Sequence, residues 1–252
     1  MSILYAVPFG AALFLRNQQP KKYYGGNMEV CLGMKADGKL LNTTLAEMHS
    51  LVIGGYSGCG KTALVNNLIA QLSNAEIYIF DVKKIDFKRY ENKSNIFLVH
   101  DSATMQNVLR LIKSELINRI SQYDTTAKPI ILIVDAFELY DYPSCSKIDG
   151  LINIDFDILP QLKEIVDGAK FGVHLILTSQ YTTNREDFKY IKRNSSVLCM
   201  SDEHRKFFLQ DIESKHFPKN CNYILKMREV NGNNLIELVS KYLPFTGSII
   251  SN

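Results

Sequence analysis

The chain has no closely spaced cysteine pair. Its five cysteines, Cys31, Cys59, Cys145, Cys199 and Cys221, are scattered and form no C-x-x-C spacing, which argues against a zinc site. An odd, dispersed set fits reduced, intracellular thiols better than a disulfide framework. Charge of one sign is also lacking: the formal net charge is +3 over 252 residues, so composition alone does not announce a nucleic-acid binder. A near-neutral average can still hide a basic face. There is no internal repeat and no long disordered tract, and 46% apolar with 22% charged residues is an ordinary soluble balance.

A long apolar run is missing too. Residues 2–15, SILYAVPFGAALFL, are uncharged but too few to cross a bilayer as a helix, and Pro8 and Gly10 interrupt them. Without a basic leader the stretch is no standard signal peptide. Two readings remain for this segment (1–27): a strand or packing arm, or the end of a membrane segment truncated upstream. In the second, Arg16, Lys21 and Lys22 lie on the cytoplasmic side. The main domain is expected in the cytoplasm, at the inner face of the membrane on that second reading.

What is present is alternation. After a hinge at Gly25-Gly26, apolar runs predict strands at 50–55, 76–81, 95–101, 129–135 and 172–180. Helical spacing predicts helices at 62–72, 102–123 (with Ser102 as N-cap) and 159–171. NYILKMREV and NLIELVSKY flank NGN as a predicted β-hairpin. Strands alternating with helices imply an α/β fold with a mostly parallel sheet covered on both faces. The expected domain spans 28–245, followed by a short tail at 246–252.

GYSGCGKT, Gly55 to Thr62, fits G-x-x-x-x-G-K-S/T in full, after a predicted strand and before a predicted helix. Gly55, Gly58 and Gly60 allow backbone N–H groups to converge on phosphate oxygens. Ser57, Cys59 and Ala63 complete the expected phosphate-binding stretch, and the helix N-terminus adds partial positive charge. Lys61 is the expected contact to the outer phosphates of ATP, and the Thr62 hydroxyl the expected Mg²⁺ ligand.

Asp135 closes an apolar strand and suits a second Mg²⁺-side acid. Where a water-activating glutamate usually follows, this chain has Ala136. Glu138, three residues past Asp135, reads either as a displaced base or as a solvated loop acid. Gln180 ends the fifth predicted strand. It is expected beside Asp135 if the two strands are neighbours, acting on the γ-phosphate or the attacking water, or else is a polar strand end.

The order of these motifs resembles the FtsK/SpoIIIE family of motor ATPases. The resemblance runs through residues 31–69, the Asp81-x-Lys83 strand end in IFDVKKIDFKRY, ELINR (115–119) and FGVHLILTSQ (171–180), and covers about residues 28–242. It implies a P-loop, RecA-like core in a ring, usually hexameric, with ATP and Mg²⁺ at subunit interfaces. A neighbouring subunit then supplies an arginine, for which Arg185 and Arg193 are the candidates. Members that move DNA typically carry Asp-Glu where this chain has Asp135-Ala136, and YTTNRED replaces an Arg-Pro-containing loop after Gln180. Both departures, and residues 198–225, resemble the ATPase modules of type VII secretion motors (EssC/EccC), whose substrates are proteins. Three functions follow: a double-stranded-DNA translocase gripping phosphates through the basic stretch Lys83, Lys84, Lys88 and Arg89; a secretion-motor module with little turnover; or an assembly module in which ATP stabilises the ring without catalysis. The first accounts for more of the chain.

Overall fold

The computed structural model describes residues 28–34, 39–140, 154–200, 208, 223–226 and 235–238. Strands β3 (Leu51–Gly54), β4 (Glu76–Phe80), β5 (Ile96–Val99), β6 (Ile130–Val134), β7 (Val173–Ser179) and β8 (Ser196–Cys199) run parallel in one sheet. Strands β9 (Tyr223–Lys226) and β10 (Leu235–Leu238) extend it antiparallel, giving the order β10-β9-β8-β3-β7-β6-β4-β5. The segment joining β9 to β10, which carries NGN, lies outside the described residues, as do residues 1–27.

The apolar runs are continuous because both faces are covered. Along β6, Ile130, Leu132 and Val134 enter one core and Ile131 and Ile133 the other, the period-2 alternation of a strand. The first core is closed by α3 (Ser102–Gln122), α4 (Leu159–Val166) and α5 (Glu186–Arg193), through residues such as Met105, Leu109, Leu162 and Phe188. The second is closed by α2 (Lys61–Gln71) through Val65, Leu68 and Ile69, and by an antiparallel pair, β1 (Glu29–Met34) and β2 (Leu40–Thr44). The short α1 (Leu45–Met48) follows β2 with a capping box, Thr44 and Glu47 each bonding the other's backbone.

Two details differ from the sequence expectation. Helix α3 is capped by Asp101, not Ser102: the Asp101 carboxylate accepts from Thr104 N at 2.9 Å, while Ser102 is already helical and its hydroxyl donates to Asp155. The expected helix 159–171 is α-helical only to Val166 and tightens to a 3₁₀ turn over Asp167–Phe171 before Gly172, at φ 71°, reverses the chain into β7. Among the described residues no helix is long and apolar enough to cross a membrane.

Candidate functional site

The phosphate loop is tied to the sheet at its root. Gly55 N donates to Ser179 O at 3.1 Å, and Met200 N donates to Gly54 O at 2.8 Å, fastening the loop to the ends of β7 and β8. Gly58 and Gly60 have φ of 81° and 102°, in the left-handed region that favours glycine. At Gly55 close approach adds to this: a Cβ there would lie 2.6 Å from Cys59 Sγ. The Lys61 ammonium donates to Gly55 O at 2.6 Å and Tyr56 O at 2.9 Å, curling along its own loop. Burial depresses its pKa, and the neighbouring Cys59, Glu138 and Asp135 oppose that shift.

The opposite wall is built where β6 and β7 end side by side. Their register pairs Val134 with Leu177, so Thr178, not Gln180, falls opposite Asp135. The Thr178 hydroxyl donates to Asp135 Oδ1 and accepts from Ala136 N, each at 2.8 Å. Ala136 is held at φ 55°, ψ 57°, a left-handed conformation that costs a non-glycine residue about 1–2 kcal/mol. That turn leads into a 3₁₀ turn, Phe137–Leu139. There Glu138 Oε2 accepts from Gln180 N at 3.0 Å and from the Ser179 hydroxyl at 3.4 Å. Glu138 therefore ties the 3₁₀ turn to the end of β7. Asp135 is almost fully buried, which raises its pKa; the Thr178 hydrogen bond and the Lys83 charge act against that shift.

Between the two walls lies an open cleft of about 190 Å³. Ser57, Gly58, Gly60, Lys61, Thr62 and Ala63 line one side, and Lys83, Asp135, Ala136, Glu138, Thr178 and Gln180 the other. Most of the expected site residues thus share one cavity. Gly55 and Cys59 do not line it; they pack together behind the loop. Arg185 and Arg193 do not line it either, and pair with Asp157 and Glu186. Lys83, expected as part of a basic stretch, is a cleft residue. Thr178 was not singled out by the motif, although its place two residues before Gln180 puts it on the same strand end.

The residues fit Mg²⁺ bound in the way this ion prefers. Thr62, a hydroxyl-bearing residue, and Asp135, a buried carboxylate, line one cleft. Mg²⁺ characteristically takes one or two protein ligands and completes its octahedron with phosphates and water.

Over 178 residues the chain is 23% identical to the DNA translocase FtsK of Tropheryma whipplei (strain TW08/27), a match covering 61% of this chain and 24% of that protein. This chain is similar in sequence to the FtsK/SpoIIIE-type motor ATPases. No family model matches it. Solved structures share the fold. The pCW3 conjugation coupling protein TcpA, in its monomer form with ATPγS, superposes with a TM-score of 0.64 at 15% identity, over 84% of this chain and 66% of that one. The cytoplasmic domain of the type VII secretion ATPase EccC from Thermomonospora curvata gives 0.62 at 16% identity, over 84% and 26%. EssC (ATPases 2 and 3) from Geobacillus thermodenitrificans gives 0.60 at 12%, over 88% and 46%. The three share the fold of this chain, which spans about a quarter of the FtsK it matches.

Proposed function

We propose that the chain binds and hydrolyses ATP and couples that cycle to movement of double-stranded DNA, as a ring of like subunits. The convergence of the phosphate loop with the Asp135–Thr178 joint on one cleft carries the ATP reading. Backbone amides of Gly58 to Thr62 and the N-terminus of α2 hold the phosphates. Lys61 exchanges its loop carbonyls for phosphate oxygens. Thr62 and Asp135 hold Mg²⁺, which neutralises phosphate charge when bound. Glu138 is the cleft carboxylate that takes the water-activating role in place of residue 136, with Gln180 beside it; the hydrogen bond from Gln180 N sets its position. Arg185 and Arg193 remain the candidates for action on a neighbouring subunit's site.

The sequence match to a DNA translocase supports DNA as the substrate. ATP turnover measured with and without duplex DNA tests this. Stimulation at low salt that fades as salt rises is expected, because phosphate contacts release counterions. Absence of DNA binding even at low salt removes DNA from the proposal. A second reading, a protein-secretion module with little turnover, is favoured by Ala136, by the YTTNRED loop after Gln180 and by residues 198–225. It predicts ATP binding with no response to DNA.

A further inference from the structure

We propose that Lys83 is a second phosphate-binding cation of the cleft, reserved for the terminal phosphate and set in place by a turn built on the buried Asp81 carboxylate. This rests on the ATP-binding reading above and assigns the chain's own means of telling a triphosphate from a diphosphate.

Strand β4 lies beside β6 with Phe80 opposite Val134, so Asp81 and Asp135 stand next to each other at the same sheet edge. Asp81 is 2% exposed. Its Oδ1 accepts from Lys84 N at 3.0 Å, and its carbonyl accepts from the same N–H at 3.3 Å. His100 Nδ1 contacts that carbonyl from behind at 2.6 Å. The turn this closes throws Lys84 into a left-handed conformation, φ 58°, and Phe87, fully buried, anchors its far side. The chain between is exposed, yet Lys83 lines the cleft. The buried carboxylate thus spends its hydrogen bonding on fixing the loop that carries Lys83, and its Oδ2 has no partner among the described residues.

The strand order decides which phosphate Lys83 serves. Three strand spacings separate β4 from β3, the root of the phosphate loop, a distance of about 14 Å. Lys61 and the loop amides occupy the β3 side. Lys83 approaches from the β4 side, past Asp135, whose charge it stabilises while opposing that of Lys61. Two ammonium groups entering one cleft from opposite ends suit a polyanion long enough to meet both. ADP, anchored at the loop, falls short of the second.

Isothermal titration of ATPγS and of ADP, each with Mg²⁺, tests this on the wild-type chain and on Lys83→Ala and Lys83→Arg. Wild type is expected to bind both nucleotides. Lys83→Ala should weaken ATPγS about tenfold or more, the value of a charge-assisted hydrogen bond, and ADP less than about threefold. Lys83→Arg should keep most of the preference. Equal weakening for both nucleotides, or none, overturns the proposal and leaves Lys83 as a counter-charge for Asp135. Melting without nucleotide should be unchanged in Lys83→Ala, since the side chain is exposed; Lys83→Gln, which keeps the stem, replaces it if melting falls. If wild type binds neither nucleotide, the ATP reading itself fails, before any substitution is made.

Discussion

The absence of a glutamate at position 136 is a matter of single residues, and the backbone there sharpens it. Ala136 sits in a left-handed turn whose N–H is taken by Thr178. The conformation is therefore held by the end of β7, and the carboxylate that reaches the cleft comes two residues later, from Glu138. Glu138→Gln keeps an oxygen to accept from Gln180 N but removes the base. Its expected effect is a fall in kcat of ~10²-fold or more, with ATP affinity held near wild type. A kcat unchanged within threefold or so, in steady-state phosphate release, would return Glu138 to a purely structural role. The shared cleft position of Lys61, Thr62 and Asp135 was legible from the sequence, the first two through a motif of fixed residue types at fixed spacing and Asp135 through its place at the end of an apolar strand. Thr178 was not, because only the β6–β7 register brings it opposite Asp135. Gln180, the residue expected there, instead meets Glu138 through its backbone N–H.

At the level of elements, the seam between β6 and β7 holds the site together. Thr178 is fully buried and satisfies Asp135 Oδ1 and Ala136 N at once. Thr178→Val preserves shape but strands both groups. The expected loss is about 2–4 kcal/mol of stability, since each unpaired buried group costs about 1–3 kcal/mol. Urea denaturation checks it; a loss under half a kcal/mol or so would mean the seam does not depend on this hydroxyl. The apolar strands were readable as continuous runs, and α3 because a 3.6-residue period persists over its length. Strand β8, four residues all buried, and α5, eight residues with only Phe188 and Ile191 buried, were not assigned. Such short segments have too few residues to establish a period, and tertiary packing decides them. The cap of α3 shows the same limit at one residue's scale, since Asp101 and Ser102 are both good caps and only geometry chose between them.

For the whole molecule, acid response has an identifiable source on β7, in the half of the strand remote from the cleft. His174, on β7, approaches His49 O at 2.5 Å through Nδ1, and its buried Nε2 has no partner among the described residues. Burial pushes its pKa down to about 4; the His49 carbonyl opposes this, while the His49 and Arg119 charges add to it. A folded-state pKa below the unfolded value of 6.5 means that the neutral ring's contribution is present above pH 6.5. It is lost as the pH falls toward 4, by about 3 kcal/mol in full. His174→Asn supplies an amide donor in place of Nδ1–H and does not titrate. Its urea midpoint should therefore vary less than wild type between pH 6.5 and 4. Parallel pH profiles for the two proteins would assign the acid response elsewhere.

The end of β3 carries one more consequence, in evolutionary terms. A Cβ on Gly54 would lie 2.5 Å from ring carbons of Phe208, which is itself fully buried. The two positions are locked as a size pair directly under the phosphate loop. Among divergent relatives, position 54 is expected to gain a side chain only where position 208 has lost its ring, so an alignment should show them changing together, far apart in sequence and never singly.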